Sequence, residues 1–257
     1  MAEEKKHDEN TALAASAPEP ATTPVNDDGS MSLIAHLTEL RSRLIKCLVA
    51  TALGSCVGYA YIDKIMHYIT LPAGKLYYMQ PSEAFFTYLK VACVAGFLLA
   101  LPVIFWQVWR FFLPALTQRE RIVLGLVVPT SVILFFSGLA FSFFLVLPAG
   151  IHFFMGFGNE ELEALFSVNK YFDFVIMFVM PFGFIFELPL VITILGAMGL
   201  VNSKFLGKHQ RIIIFLSFVA GALITPTPDV FTQSMIALPI IALYEVGCLI
   251  VRFILRK

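Results

Sequence analysis

A chain of 257 residues that is 58% hydrophobic and only 14% charged, with 26 phenylalanines, carries more apolar side chain than one water-soluble core can bury. Its formal net charge is +0, and its basic residues stand at the ends of apolar runs rather than in one continuous patch, which argues against nucleic acid as a partner. The four cysteines, Cys47, Cys56, Cys93 and Cys248, fall in or beside apolar runs without metal-ligand spacing, so they read as small hydrophobes and predict no metal site and no disulfide framework.

Residues 1–31 are expected to form a disordered acidic tail: the first 30 hold seven acidic residues against Lys5 and Lys6, together with Pro18, Pro20 and Pro24. The tail lacks the apolar centre and small-residue cleavage site of a secretory signal, so the first apolar run is expected to be a retained helix. Leu33, Leu37, Leu40 and Leu44 then share one helical face, the pattern of an amphipathic helix lying at a membrane interface. His36, Glu39 and Arg43 occupy the other face, and the spacing of Glu39 and Arg43 permits an ion pair contributing about 0.2–0.5 kcal/mol.

Six apolar runs follow, at about 44–62, 91–109, 122–147, 174–198, 212–224 and 231–251, and they predict an all-α membrane domain of six spans over residues 32–257. An even number of spans puts both ends on one side. One set of flanks holds twelve basic residues (Arg41, Arg43, Lys46, Arg110, Arg119, Arg121, Lys204, Lys208, Arg211, Arg252, Arg256 and Lys257), and the other holds Lys64, Lys75, Lys90 and Lys170. That bias predicts cytoplasmic termini and cytoplasmic loops at 110–121 and 199–211. The outer loops are expected at 63–90 and 148–173, the second with Glu160, Glu161 and Glu163 on a solvated face.

Helices five and six are expected to be short. The 13 residues of the fifth run rise only about 20 Å at about 1.5 Å each, below a hydrocarbon thickness of about 30 Å, and Gln233 and Glu245 interrupt the sixth. Local bilayer thinning or burial against neighbours accommodates this, and a re-entrant hairpin is the alternative.

Glu187 is the one charged residue in the 25-residue run 174–198. A charge near the bilayer centre is disfavoured by about 2.5–3.5 kcal/mol even on the mildest insertion scale, so such a group faces a protein interior, a wet cavity or a partner. Pro181 and Pro189 flank it, and each removes a backbone donor, so the helix is expected to bend beside the carboxyl. Two readings stay open: a hydrogen bond that serves helix packing alone, and a working polar site. Glu120, between Arg119 and Arg121, is a second acid on the basic side. It reads as local charge balance or, with Glu39, as a receptor for guanidinium, which carboxylates bind by bidentate hydrogen bonds.

Four motifs occur together. They are His36-Leu37-Thr38-Glu39-Leu40-Arg41-Ser42-Arg43-Leu44, the stretch from Trp109 through Phe111-Phe112-Leu113-Pro114-Ala115-Leu116 to Arg119-Glu120-Arg121, Phe186-Glu187-Leu188-Pro189, and Thr225-Pro226-Thr227-Pro228-Asp229-Val230-Phe231-Thr232-Gln233. In this order and context the chain resembles the TatC family, the six-span receptor component of the twin-arginine protein translocase, from about Ser32 onward. The resemblance implies a concave, glove-like helical domain in the bacterial cytoplasmic (inner) membrane. It also implies export of folded proteins, single-span TatA- and TatB-like partners, self-association in a receptor complex, and the proton gradient as the source of energy. Carried to matching positions, it makes Glu39 and Glu120 the acids that recognise twin-arginine signal peptides, with Phe111 beside them and Arg41 and Arg121 organising the surface. It makes Glu187 and Gln233 partner-facing polar groups in the membrane, and Pro72, Phe86 and Asp229 outer-side positions used in assembly or loop structure.

The physical rival is an ion- or proton-coupled secondary transporter that titrates Glu187 and Glu245, and the absence of an internal repeat disfavours it. An enzyme is not expected, because the five histidines are dispersed and neither H-E-x-x-H nor G-x-S-x-G occurs. No cofactor site and no nucleotide-binding loop is expected either.

Overall fold

The computed structural model describes residues 33–112, 121–157, 165–225 and 229–255. The acidic tail at 1–31, Glu120, and the run Glu160, Glu161 and Glu163 lie outside the described residues. By contact density the chain divides into two compact units, one up to Leu40 and one from Arg41 onward.

The elements in chain order are α1 (Leu33–Ala60), α2 (Ile62–Thr70), β1 (Leu76–Tyr77), α3 (Pro81–Phe112), α4 (Arg121–Phe141), a π-helical turn (Ser142–Val146), α5 (Leu147–Met155), β2 (Phe166–Ser167), α6 (Val168–Ile185), α7 (Leu188–Ala197), α8 (Ser203–Ile224) and α9 (Val230–Phe253). Among the described residues, six helical stretches are long and apolar enough to cross a membrane: Leu37–Ala60, Pro81–Phe111, Gly125–Met155, Val168–Ala197, Ser203–Ile224 and Val230–Phe253. Each contains most or all of one of the six apolar runs. A spanning segment in lipid must satisfy its backbone internally, which leaves the helix as the only open choice for such runs.

The helices outlast the runs, and this corrects the expected loops. Much of 63–90 and 148–173 is helical, in α2, the first turns of α3, α5 and the start of α6. Hydropathy marks only the hydrocarbon-crossing part of a helix, whereas the backbone ladder continues into the interface. The fifth span shows the same effect. Asn202 caps α8 by accepting the Phe205 N–H at 2.8 Å, so the helix starts in the polar segment before residue 212. Its 22 residues rise about 33 Å at about 1.5 Å each, enough to cross a bilayer alone. Spans five and six, at 22 and 24 residues, are nevertheless shorter than spans two to four, at 30 or 31.

Lipid tails offer no hydrophobic drive for helix association, so close packing has to supply it, and small residues permit that packing. Where α4 meets α6, a Cβ on Gly138 would stand 2.4 Å from the Phe182 carbonyl oxygen, and one on Gly183 would stand 2.5 Å from the Phe135 ring. Glycine is therefore required at both points. Phe135 and Phe182 pack at this approach and, like Phe172 and Phe178 earlier on α6, are fully buried. The same device joins α1 to α3, where a Cβ on Gly54 would meet the Gly96 carbonyl oxygen at 2.5 Å. α1 otherwise leaves Leu44, Leu48 and Leu53 exposed.

At the opposite end from the basic loops, polar bonds fasten the connecting segments. β1 pairs in parallel with β2, Leu76 to Phe166 and Tyr77 to Ser167. The Glu83 carboxyl accepts the Met79 N–H at 2.8 Å and the Ser167 hydroxyl at 3.3 Å. Lys90 donates to Asn169 at 2.9 Å and pairs with Asp173, and the Tyr171 hydroxyl donates to the Ile69 carbonyl at 2.8 Å. Pro72 sits in the turn after α2, and Phe86 is exposed on the first turns of α3.

Candidate functional site

The bend expected beside Glu187 is a break of two residues. α6 ends at Ile185, and Phe186 and Glu187 form a turn closed by Phe186 N–H to the Phe182 carbonyl at 3.0 Å and Glu187 N–H to the Phe184 carbonyl at 3.1 Å. α7 then begins at Leu188 with Pro189 in its first turn, where a missing N–H is harmless. The Glu187 carbonyl accepts from Val191 N–H at 2.9 Å and starts the new helix. Its side chain makes no capping bond, although the residue occupies the N-cap position. The carboxyl is thus left for something other than the backbone.

Glu187 is 8% exposed, and neither of its carboxyl oxygens has a hydrogen-bond partner among the described residues. A buried polar group in that state costs about 1–3 kcal/mol, more when charged. The carboxyl lines a groove of about 620 Å³ whose other walls are apolar: Leu101, Phe105 and Trp109 of α3, Phe184 of α6, and Val191 and Ile194 of α7. Beside Glu187 stands Ser131 of α4, fully buried, whose oxygen accepts the Trp109 indole N–H at 2.9 Å. Sequence reasoning missed this pair. A serine within an apolar run looks like any helix-bonded hydroxyl, and a tryptophan at its end looks like an interfacial anchor.

Gln233 does not line that groove. Its amide donates to the Phe218 carbonyl at 2.8 Å and ties α9 to α8 at the point where a Cβ on Gly221 would meet the Gln233 carbonyl oxygen at 2.8 Å. Four residues earlier, Asp229 caps α9, accepting the Thr232 N–H at 2.8 Å and the Thr232 hydroxyl at 2.6 Å. Glu245, further along α9, accepts from the side-chain amide of Gln210 on α8.

The residues at the basic end are described only in part. Glu39 lies half-buried on α1, within the unit that ends at Leu40. Arg41 is exposed, and Arg43 reaches the Gln107 carbonyl of α3 at 3.3 Å. Phe111 is half-buried on the last turn of α3, Arg121 opens α4, and Glu120 lies outside the described residues.

Six spanning segments among the described residues, close glycine contacts and a carboxyl set at a helix break define a multi-span, all-α membrane protein with an apolar groove that holds one carboxyl. Comparison with known proteins makes this specific. The sequence pattern of the Sec-independent protein translocase protein (TatC) matches residues 35–239. The Sec-independent protein translocase protein TatC of Carboxydothermus hydrogenoformans is 36% identical over 235 residues, covering 90% of this chain and 97% of that protein. The protein of the same name from Synechocystis is 38% identical over 244 residues, covering 93% of this chain and 96% of that one. A crystal structure of the twin arginine translocase receptor TatC superposes with a TM-score of 0.74 at 34% identity, covering 84% of this chain and 98% of that chain. The chain belongs to the TatC family. It is therefore a component of the Sec-independent protein translocase and not an enzyme, and the ion-coupled transporter reading falls away.

Proposed function

We propose that this receptor acts from the bacterial cytoplasmic membrane with both termini in the cytoplasm. Glu39 and Glu120 hold the paired arginines of a signal peptide, assisted by Phe111, Arg41 and Arg121, while Glu187 and Gln233 meet TatA- and TatB-like single-span helices. Twelve basic residues against four on the two sets of flanks support the orientation. The acidic tail at 1–31 remains outside the membrane on the same side, and copies of the chain associate in the receptor complex.

The observation that carries the docking half is the unpartnered carboxyl of Glu187 on the wall of an apolar groove. A helix entering that groove with one polar side chain relieves the desolvation of that carboxyl, so the penalty becomes selectivity for partners that bring such a group. Pro72, Phe86 and Asp229 contribute outer-side structure, and the capping bonds of Asp229 support that role.

Site-specific crosslinking to an Arg-Arg signal peptide tests the recognition half. Each charge-assisted bond contributes about 1.5–3 kcal/mol, so replacing Glu39 or Glu120 by Ala weakens peptide binding about tenfold or more, and Lys weakens it further by repulsion. Lys in place of either peptide arginine also weakens binding, because ammonium lacks the planar fork. Unchanged crosslinking and export in the Glu39 and Glu120 double variant would rule out this recognition site.

A further inference from the structure

Two side chains that line the groove, Trp109 at the end of α3 and Glu187 at the break between α6 and α7, share a buried neighbour, Ser131 within α4. Their hydrogen-bond directions are constrained by chemistry. An indole N–H only donates, so the 2.9 Å contact fixes the Ser131 oxygen as acceptor and leaves the serine its own proton to give.

Several hydroxyls in these spans return that proton to their own helix. Ser55 donates to the Thr51 carbonyl at 2.8 Å, Ser217 to Ile213 at 2.7 Å, Ser234 to Val230 at 2.6 Å, and Thr130, next in sequence to Ser131, to Leu126 at 2.7 Å. Among the described residues Ser131 makes no such bond, although it is fully buried. An acceptor for its proton stands beside it, since the Glu187 carboxyl is a neighbour with both oxygens unpartnered. Donor and acceptor are therefore adjacent, and among the described residues neither Glu187 oxygen is bonded.

We propose that Trp109 and Ser131 are positioning residues for the intramembrane site: the indole orients the Ser131 hydroxyl, and the hydroxyl steadies one oxygen of Glu187 while the other faces the groove. This rests on the reading of Glu187 as a docking group. It also gives Trp109 a reason to be tryptophan beyond interfacial anchoring, since phenylalanine keeps the ring but has no N–H to fix the serine. Because Trp109 lies two residues before Phe111, the same indole joins the groove to the end of α3 from which the segment bearing Glu120 departs.

Infrared difference spectroscopy on the full chain in membranes, with the Glu187 carboxyl band assigned through Glu187→Gln, reads the contact directly. Ser131→Val and Trp109→Phe should each shift that band, and Ser131→Thr, which restores a hydroxyl, should return it. Crosslinking of a TatA- or TatB-like helix from a probe at position 194 should fall about threefold in Ser131→Val, the effect of one typical intramembrane hydrogen bond. It should fall no further when Ser131→Val is added to Glu187→Ala. A band unmoved by both Ser131→Val and Trp109→Phe would overturn the proposal. If the band moves as expected while Glu187→Ala leaves crosslinking intact, positioning stands and the docking reading fails instead.

Discussion

Two carboxylates of this chain, Glu83 and Glu187, live by opposite rules. Glu83, in the first turn of α3, is half-buried and used: its oxygen takes a backbone N–H and a serine hydroxyl, and it fastens the segment around β1 to the one around β2. Glu187, in a membrane span, is more deeply buried and has no hydrogen-bond partner among the described residues. A carboxylate that serves the fold has its lone pairs filled by the fold, whereas one kept for a partner is held at the groove wall with them open. The backbone around Glu187 fits the second case, since the break and Pro189 satisfy the chain without help from the side chain.

The strongest way to break the comparison is to move the turn that carries Glu187. A Cβ on Gly138 meets the Phe182 carbonyl at 2.4 Å and the Phe186 ring at 2.9 Å, so Gly138→Val must push apart α4 and the end of α6. A loss of about 1–3 kcal/mol or more is expected, seen as a marked drop in melting temperature in detergent together with loss of partner crosslinking. Next comes Glu83→Ala, which removes two accepted bonds and is expected to lower stability by about 1–2 kcal/mol, discounted for the exposed Met79 end. Limited proteolysis near residues 71–80 should accelerate while partner docking at the groove persists. Lys90→Ala should have a smaller effect of the same kind, about 0.2–1 kcal/mol, because its bonds to Asn169 and Asp173 are partly solvated.

The sequence made the membrane class and six of the helices legible, because apolar runs of spanning length leave the backbone no alternative to a helix. Pro181 and Pro189 also predict a bend beside Glu187; the structure has a break there, with Pro189 opening α7 and Pro181 remaining inside α6. The full length of α8 was hidden, because its first half is polar and its start is set by the Asn202 cap rather than by hydropathy. The partnership of Trp109 with Ser131 was hidden for another reason: it spans 22 residues and two helices, and nothing local in either residue's surroundings announces it. Gln233 was read as a membrane-facing contact from its motif, and the structure adds that its amide ties α8 to α9. A Gln233→Ala change therefore disturbs a helix pair as well as any docking surface.

The central claim is that Glu187 is kept open for a partner, and Glu187→Ala tests it when stability and docking are measured on the same protein. Removing this buried carboxyl relieves its desolvation and forfeits at most the contact with the Ser131 hydroxyl, so the melting temperature of the purified variant should change little, while crosslinking to a TatA- or TatB-like helix from position 194 falls about threefold or more. A large fall in melting temperature with full crosslinking in the surviving protein would contradict it and assign Glu187 to packing.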